Sequence, residues 1–368
     1  MKKYIVSVLI ICFTLSLFAG VFAAAEDGIT VAFASTYSEE FRSSADKLAY
    51  ETCEAWCASS GATFLTEPMP SDRNSLGAYI DTCADKGCNV IVIQGSSFIS
   101  ALKEAVEKHP EVTFLAYDLA QDDLGNDYSI PDNLYCGAFQ KEVLGYITGY
   151  ALTKLGFVKT GILMSPKTED SIRLGYGYIQ GVNAAGEELG NIFDLEMNYA
   201  YVKKLSGDAD LTYSMDTWYQ DGTELIFVFG NTIFTSVAEA AAKESCLIAG
   251  GITNQMEEID ASYGEGMTIT SAVLNIPLAL ERQLQAIADG TFEGGKAELL
   301  GIVSDKEEEN FIGLAPSTLF NDDFTYEDYT ALLNDFTEGR ITVDNDTTLE
   351  MIDMEGALNV QMFETLQF

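Results

Sequence analysis

Short apolar runs separated by longer amphipathic stretches dominate this chain, and they restrict the folds open to it. "ITVAFA" (Ile29–Ala34), "TFL" (Thr63–Leu65), "VIVI" (Val90–Ile93) and "TFLA" (Thr113–Ala116) read as strands. Patterns with helical period lie between them at Glu39–Ser59, Arg73–Asp85 and Ile99–Glu107. Apolar strands without alternation, each followed by a helix, predict a parallel sheet covered on both faces. The rhythm restarts with "TGILM" (Thr160–Met164), a helix over Ile172–Leu189, "LIFVF" (Leu225–Phe229), a helix over Ser236–Glu244 and "LIAGG" (Leu247–Gly251). "MTITSAVLN", with a helix opening at Pro277, adds another β-α unit; "ELLGIVS" and a helix at Tyr326–Phe336 close the pattern. The fold expected is α/β, with two Rossmann-like lobes of parallel sheet flanked by helices and a ligand cleft at the hinge. Residues 26–138 plus about 266–298 would form the first lobe, and residues 139–265 plus about 299–368 the second.

The first 25 residues have another design. Lys2 and Lys3 precede an apolar run, and small residues at Val21–Ala25 offer a cleavage site, as in a secretory signal. Cys12 lies inside the apolar run rather than behind it, so lipidation is not expected, and the mature protein should be periplasmic or extracellular. Cleavage would leave 18 basic against 57 acidic residues, a net charge of −39. Such a chain repels nucleic acid and anionic lipid. The six remaining cysteines are even in number, and the clusters Cys53/Cys57 and Cys83/Cys88 are the candidates for a bridge, with connectivity open.

Reactive groups are scarce. The single histidine, His109, precedes Pro110 and reads as a solvated turn residue. There is no G-x-S-x-G elbow, no phosphate loop and no dinucleotide fingerprint. Carboxylate pairs such as Asp122–Asp123 read as acidic surface, and "DLAQDDLGND" lacks EF-hand spacing. Neither catalysis nor a cofactor or metal is expected. "GYITGYALTKLG" (from Gly145) and "GYGYIQG" (Gly175–Gly181) place glycines four apart or closer in helical patterns. The apolar run around Gly145 and Gly149 is about half the length of roughly 20 residues that a bilayer requires, so these glycines should serve close packing.

In open parallel sheets, ligands bind beyond the carboxyl ends of the strands. The loops there name the candidate contacts: Ser35, Tyr37, Ser38 and Phe41 in the first, Gln94 and Ser96 in the second, and Asp118 after "FLAY". The second lobe offers Gly230, Asn231 and Thr232, then Thr253 and Asn254. An acid just past a buried strand is costly unless it is paired, which makes Asp118 a candidate ligand contact.

"VIVIQGSSFISALKEAVEKHPEVTFLAYD", "NLYCGAFQKEVLGYITGYALTKLGFVKTGILM", "SIRLGYGYIQGVNAAGEELG" and "LIFVFGNTIFTSVAEAAAKES" together resemble the basic membrane protein family of ABC-transporter solute receptors. The resemblance runs from about Ile29 to Glu338. It implies the type I periplasmic binding protein fold, a small-molecule ligand, a membrane permease as partner and a monomeric receptor. The family includes purine-nucleoside receptors, so a nucleoside or related ring compound is the implied ligand. Against the nucleoside pattern, Ser38 and Arg42 stand where an aspartate and an asparagine are expected, Thr253 replaces an aspartate, and Leu274 replaces a lysine. A secreted sensor docking to a signalling receptor and an acidic secreted hydrolase are the alternatives.

Overall fold

The computed structural model describes residues 28–35, 44–68, 75–95, 98–347 and 359–366. The expected signal segment lies outside these residues. Two sheets organise the chain. The first contains β1 (Thr30–Ala34), β2 (Thr63–Leu65), β3 (Val90–Gln94), β4 (Thr113–Tyr117), β5 (Leu134–Phe139) and β11 (Lys296–Leu300), in the order β11-β5-β4-β3-β1-β2. All its pairings are parallel. The second contains β6 (Lys159–Met164), β7 (Glu196–Val202), β8 (Leu225–Phe229), β9 (Leu247–Ile252), β10 (Thr268–Leu274), β12 (Ile312–Leu314) and β13 (Asn359–Leu366), in the order β12-β10-β9-β8-β6-β7-β13. Only β12 runs antiparallel, against β10. Strand order reverses between β1 and β3 in one sheet and between β6 and β8 in the other, the switch points at which ligand crevices form.

Helices α1 (Ser44–Ser60), α2 (Leu76–Asp85), α3 (Ile99–Lys108) and α4 (Gln121–Leu124) belong to the first lobe. The second carries α5 (Lys141–Lys154), α6 (Glu169–Leu189), α7 (Ala209–Gln220), α8 (Phe234–Glu244) and α9 (Met256–Tyr263). Helix α10 (Ile276–Ala288) returns to pack on α1, and α11 (Tyr326–Thr337) closes the second lobe. Strands β1, β3, β4 and β8 are buried along their length apart from Thr30, as continuous apolar runs require. β5, β7 and α7 complete the β-α repeat where the sequence reading marked no element.

One boundary differs from expectation. β10, grouped by sequence with the first lobe, lies in the second sheet between β9 and β12. The chain therefore crosses between lobes three times: at Phe139–Lys141, at Leu274–Ile276 and between Leu300 and Ile312. These segments run side by side. Gln140 N–H donates to the Leu300 carbonyl at 3.0 Å, Asn275 N–H to Phe311 at 2.8 Å and Phe311 N–H to Gly301 at 3.1 Å. The buried Asn310 folds the third crossing on itself. Its Oδ1 accepts from the Val303 and Ser304 amides at 2.7 and 2.9 Å, and its Nδ2 donates to the Ser304 and Lys306 carbonyls at 2.9 and 3.0 Å.

The closest helix pair is α5 against α6, and glycine explains it. A Cβ on Gly145 would stand 2.0 Å from the Leu174 carbonyl oxygen, one on Gly149 2.2 Å from that of Tyr178. In return, a Cβ on Gly177 would meet the Glu142 carbonyl at 1.9 Å and one on Gly181 that of Tyr146 at 2.1 Å. Small residues four apart on both helices thus let backbone touch backbone, the geometry familiar from membrane helices, used here within a lobe. Thr168 caps α6 by accepting from the Ser171 amide, and Gly190 ends it in the left-handed conformation at φ 70°. No helix among the described residues is long and apolar enough to cross a membrane.

His109 departs from the solvated turn expected of it. It is buried, and its Nε2 lies 2.7 Å from Asp81 Oδ1, so it links the end of α3 to α2. The six cysteines among the described residues are free thiols rather than a bridged pair. Burial pushes the Cys57 and Cys83 thiols up to about 11 and that of Cys136 to about 12, so they behave as small core residues.

Candidate functional site

Of the candidate contacts, Tyr37, Ser38, Phe41 and Ser96 lie outside the described residues. Ser35 directly follows β1 and is buried. Gln94 and Asp118 are brought together: Gln94 Nε2 donates to Asp118 Oδ2 at 3.1 Å across the carboxyl ends of β3 and β4. Asp118 is held at φ 54°, a left-handed conformation that aspartate tolerates better than most residues and that recurs at functional sites.

Sequence reading missed the partner that makes this acid stable. Lys141, the first residue of α5, is 6% exposed, and its Nζ donates to Asp118 Oδ1 at 2.9 Å and to Asp170 Oδ2 at 2.7 Å. Asp118 belongs to the first lobe and Asp170, in the first turn of α6, to the second. One ammonium group therefore ties the two lobes. Burial opposes its charge, but the two carboxylates outweigh burial and hold its pKa above the usual lysine value. Burial likewise opposes ionisation of Asp170, yet Lys141 keeps its carboxyl below the ordinary aspartate value. Arg173, one turn along α6, lines the same small pocket of about 40 Å³. A lysine following a buried strand and opening an apolar helix was the available signal. It reads as an ordinary solvated residue until the fold brings in acids from 23 and 29 residues away.

A larger cavity, about 430 Å³, opens beside the crossings. Leu48 of α1 reaches it from the first lobe; Thr253 and Asn254, both candidate contacts, reach it from the β9–α9 loop of the second. Val273, Leu274, Pro277 and Pro316 make much of its wall apolar, and Glu307 brings a carboxylate. Asn254 Oδ1 is occupied, accepting from the Ser317 hydroxyl at 2.9 Å and the Met256 amide at 3.3 Å. Roughly 300–1,000 Å³ is the usual range for small-molecule sites.

Gly230, Asn231 and Thr232 stand apart from both pockets. Their loop braces the 205–207 segment: Thr232 N–H donates to the Leu205 carbonyl at 2.9 Å, and Gly207 N–H donates back to Thr232 at 3.3 Å. A Cβ on Gly230 would stand 2.9 Å from Ile233 Cδ1. Asn231 Oδ1 is buried without a hydrogen-bond partner.

Comparison with known proteins places this architecture. The profile of the Bmp family, described as ABC transporter substrate-binding protein PnrA-like, matches residues 43–343. No curated protein matches the sequence. Among solved structures, the chain is similar to an ABC transporter solute-binding protein from Conexibacter woesei, with 19% identity, a TM-score of 0.66 and coverage of 86% of this chain and 99% of that one. It is similar to a second, from Aeropyrum pernix, with 17% identity, a TM-score of 0.62 and coverage of 85% and 86%. A transcriptional activator of the comK gene from Bacillus halodurans shares the fold with 14% identity, a TM-score of 0.65 and coverage of 85% and 98%. Two parallel-sheet lobes joined by three crossings are the type I periplasmic binding fold, and the chain belongs to the Bmp family of PnrA-like ABC transporter substrate-binding proteins.

Proposed function

We propose that the protein is an extracytoplasmic, non-catalytic receptor that closes its lobes on a nucleoside or related ring compound and delivers it, as a monomer, to an ABC permease. The observation that carries this reading is the cavity of about 430 Å³, lined from the first lobe by Leu48, from the second by Thr253 and Asn254, and by the crossings between them. A ligand there contacts both lobes, so its binding free energy favours the closed arrangement. The apolar wall, with Leu274, Pro277 and Pro316, suits a ring, and the Thr253 hydroxyl offers a polar contact beside it. Rotation occurs at Phe139–Lys141, Leu274–Ile276 and the Leu300–Ile312 segment, where the chain passes between the lobes.

A thermal-shift screen of purified protein with nucleosides, free bases and monosaccharides tests this reading. A nucleoside at a hundred times its Kd adds about 2.7 kcal/mol of stability, which for lobes of this size raises Tm by roughly 5–10 °C. A screen in which sugars shift Tm and nucleosides do not rejects the nucleoside. A screen in which nothing shifts Tm rejects small-molecule reception by this cleft.

A further inference from the structure

The first crossing between the lobes, Phe139–Lys141, ends on a cation that is bonded on both sides. Asp118 is fixed to the first lobe: it follows β4, and Gln94 at the end of β3 donates to its Oδ2 at 3.1 Å. Asp170 is fixed to the second lobe. It stands in the first turn of α6, whose start is locked by the reciprocal bonds of Thr168 and Ser171, and Arg173 faces its Oδ1 at 4.0 Å. Lys141 Nζ donates to Asp118 Oδ1 at 2.9 Å and to Asp170 Oδ2 at 2.7 Å. Both bonds hold only while the two carboxylates stay within two hydrogen-bond lengths of each other. That spacing is set by how the lobes are placed, not by either lobe alone. The other ion pairs among the described residues stay within one lobe or one crossing.

Turning the lobes apart at the first crossing carries the end of β4 away from the first turn of α6, and the ammonium must then give up one acid. An exposed lysine would follow at little cost, because water replaces the lost bond. Lys141 is buried, so its charge rests on the two carboxylates, and each bond it gives up is a charge-assisted one. The pocket around the cluster measures about 40 Å³, far below the roughly 300 Å³ at which small-molecule sites begin. The cluster therefore acts on the lobes rather than on a solute.

We propose that Lys141 is a hinge clamp: by bonding Asp118 and Asp170 across the first crossing it holds the lobes together without a solute, and opening proceeds by release of Asp118. The clamp is then a brake on solute entry and release. The inference goes beyond the receptor reading, since it concerns when the lobes part and not what they close on.

Small-angle X-ray scattering of the full chain without added solute, extrapolated to zero concentration, tests it on the wild type and three variants. Asp118→Asn keeps the side-chain shape, an acceptor for Gln94 and a residue that tolerates the left-handed backbone at φ 54°, and removes only the charge. Lys141→Met removes the ammonium and keeps an apolar stem. Both should show a larger radius of gyration than the wild type while still melting cooperatively. Asp122→Asn makes the same chemical change at an exposed position of α4 and should keep the wild-type radius. If Lys141→Met does not fold, Asp118→Asn decides by itself. A wild-type radius in the folded clamp variants, even with a lowered Tm, or an equal expansion of Asp122→Asn, overturns the inference. A protein that binds no nucleoside still answers this test, so the two readings fail separately.

Discussion

Alanine at Gly177 should cost at least roughly 3 kcal/mol and lower Tm by about 6–12 °C, or prevent folding altogether. The added methyl group would stand 1.9 Å from the Glu142 carbonyl oxygen, with the Glu142 carbonyl carbon and Cα also within 3 Å. Backbone atoms in a helix have no rotamer into which to retreat, so α5 and α6 must separate along their length. Separation opens the core on both sides, because α5 is buried at twelve of its fourteen positions. Gly145→Ala, Gly149→Ala and Gly181→Ala should behave alike, since each meets a carbonyl at 2.0–2.2 Å. Gly77→Ala supplies the contrast: Gly77 lies within α2 with nothing within 4 Å of an added Cβ. That change should be neutral or stabilise by up to about 1 kcal/mol through helix propensity. Thermal melts of the five variants check the account, and Gly77→Ala and Gly177→Ala melting alike would contradict it.

Removing Lys141 is the second large effect. Lys141→Met leaves Asp118 and Asp170 without their shared cation; the Asp170 side chain is 47% exposed and that of Asp118 20%, so water takes up part of the lost interaction and the cost is about 1–3 kcal/mol. Neutralising the acids as well, in Lys141→Met with Asp118→Asn and Asp170→Asn, removes the unpaired charges and should recover most of that loss. Urea melts of the two proteins give the comparison. Equal destabilisation of both would show that Lys141 acts through packing alone. The charge pattern also gives a sign for pH. Asp170, held below its ordinary pKa, contributes stability that is present above the unfolded aspartate value near 3.8 and is lost as pH falls through the lower folded value.

The fold was largely legible because burial on both faces of a parallel strand leaves an apolar run that no other arrangement explains. The role of Gly145 and Gly149 was legible for a similar reason: an apolar helix too short for a bilayer has only close packing left to account for its spacing. Which sheet owns β10 was not legible, since "MTITSAVLN" fits either lobe and only the hydrogen bonds to β9 and β12 decide. Gln94 and Asp118, named separately as candidates, meet because they stand at the carboxyl ends of adjacent strands, whereas Gly230 and Thr232 lie in a loop that braces the 205–207 segment, apart from both. Lys141 was missed because a lysine carries no sign of the partners that will bury it. Glu307 and Glu308 were missed as cavity-lining residues because acids in a run of three look like solvated surface.

Calorimetric titration of adenosine and guanosine into the wild-type chain and into Thr253→Trp tests the central claim most directly. Thr253 is a loop residue on the cavity wall, so an indole there fills the space between the lobes. A nucleoside should bind the wild type with closing heat and bind Thr253→Trp at least a hundredfold more weakly, with both proteins melting within a few degrees of each other. Undiminished binding to a folded Thr253→Trp, or no binding to the wild type, would contradict a receptor that closes on a nucleoside in this cavity.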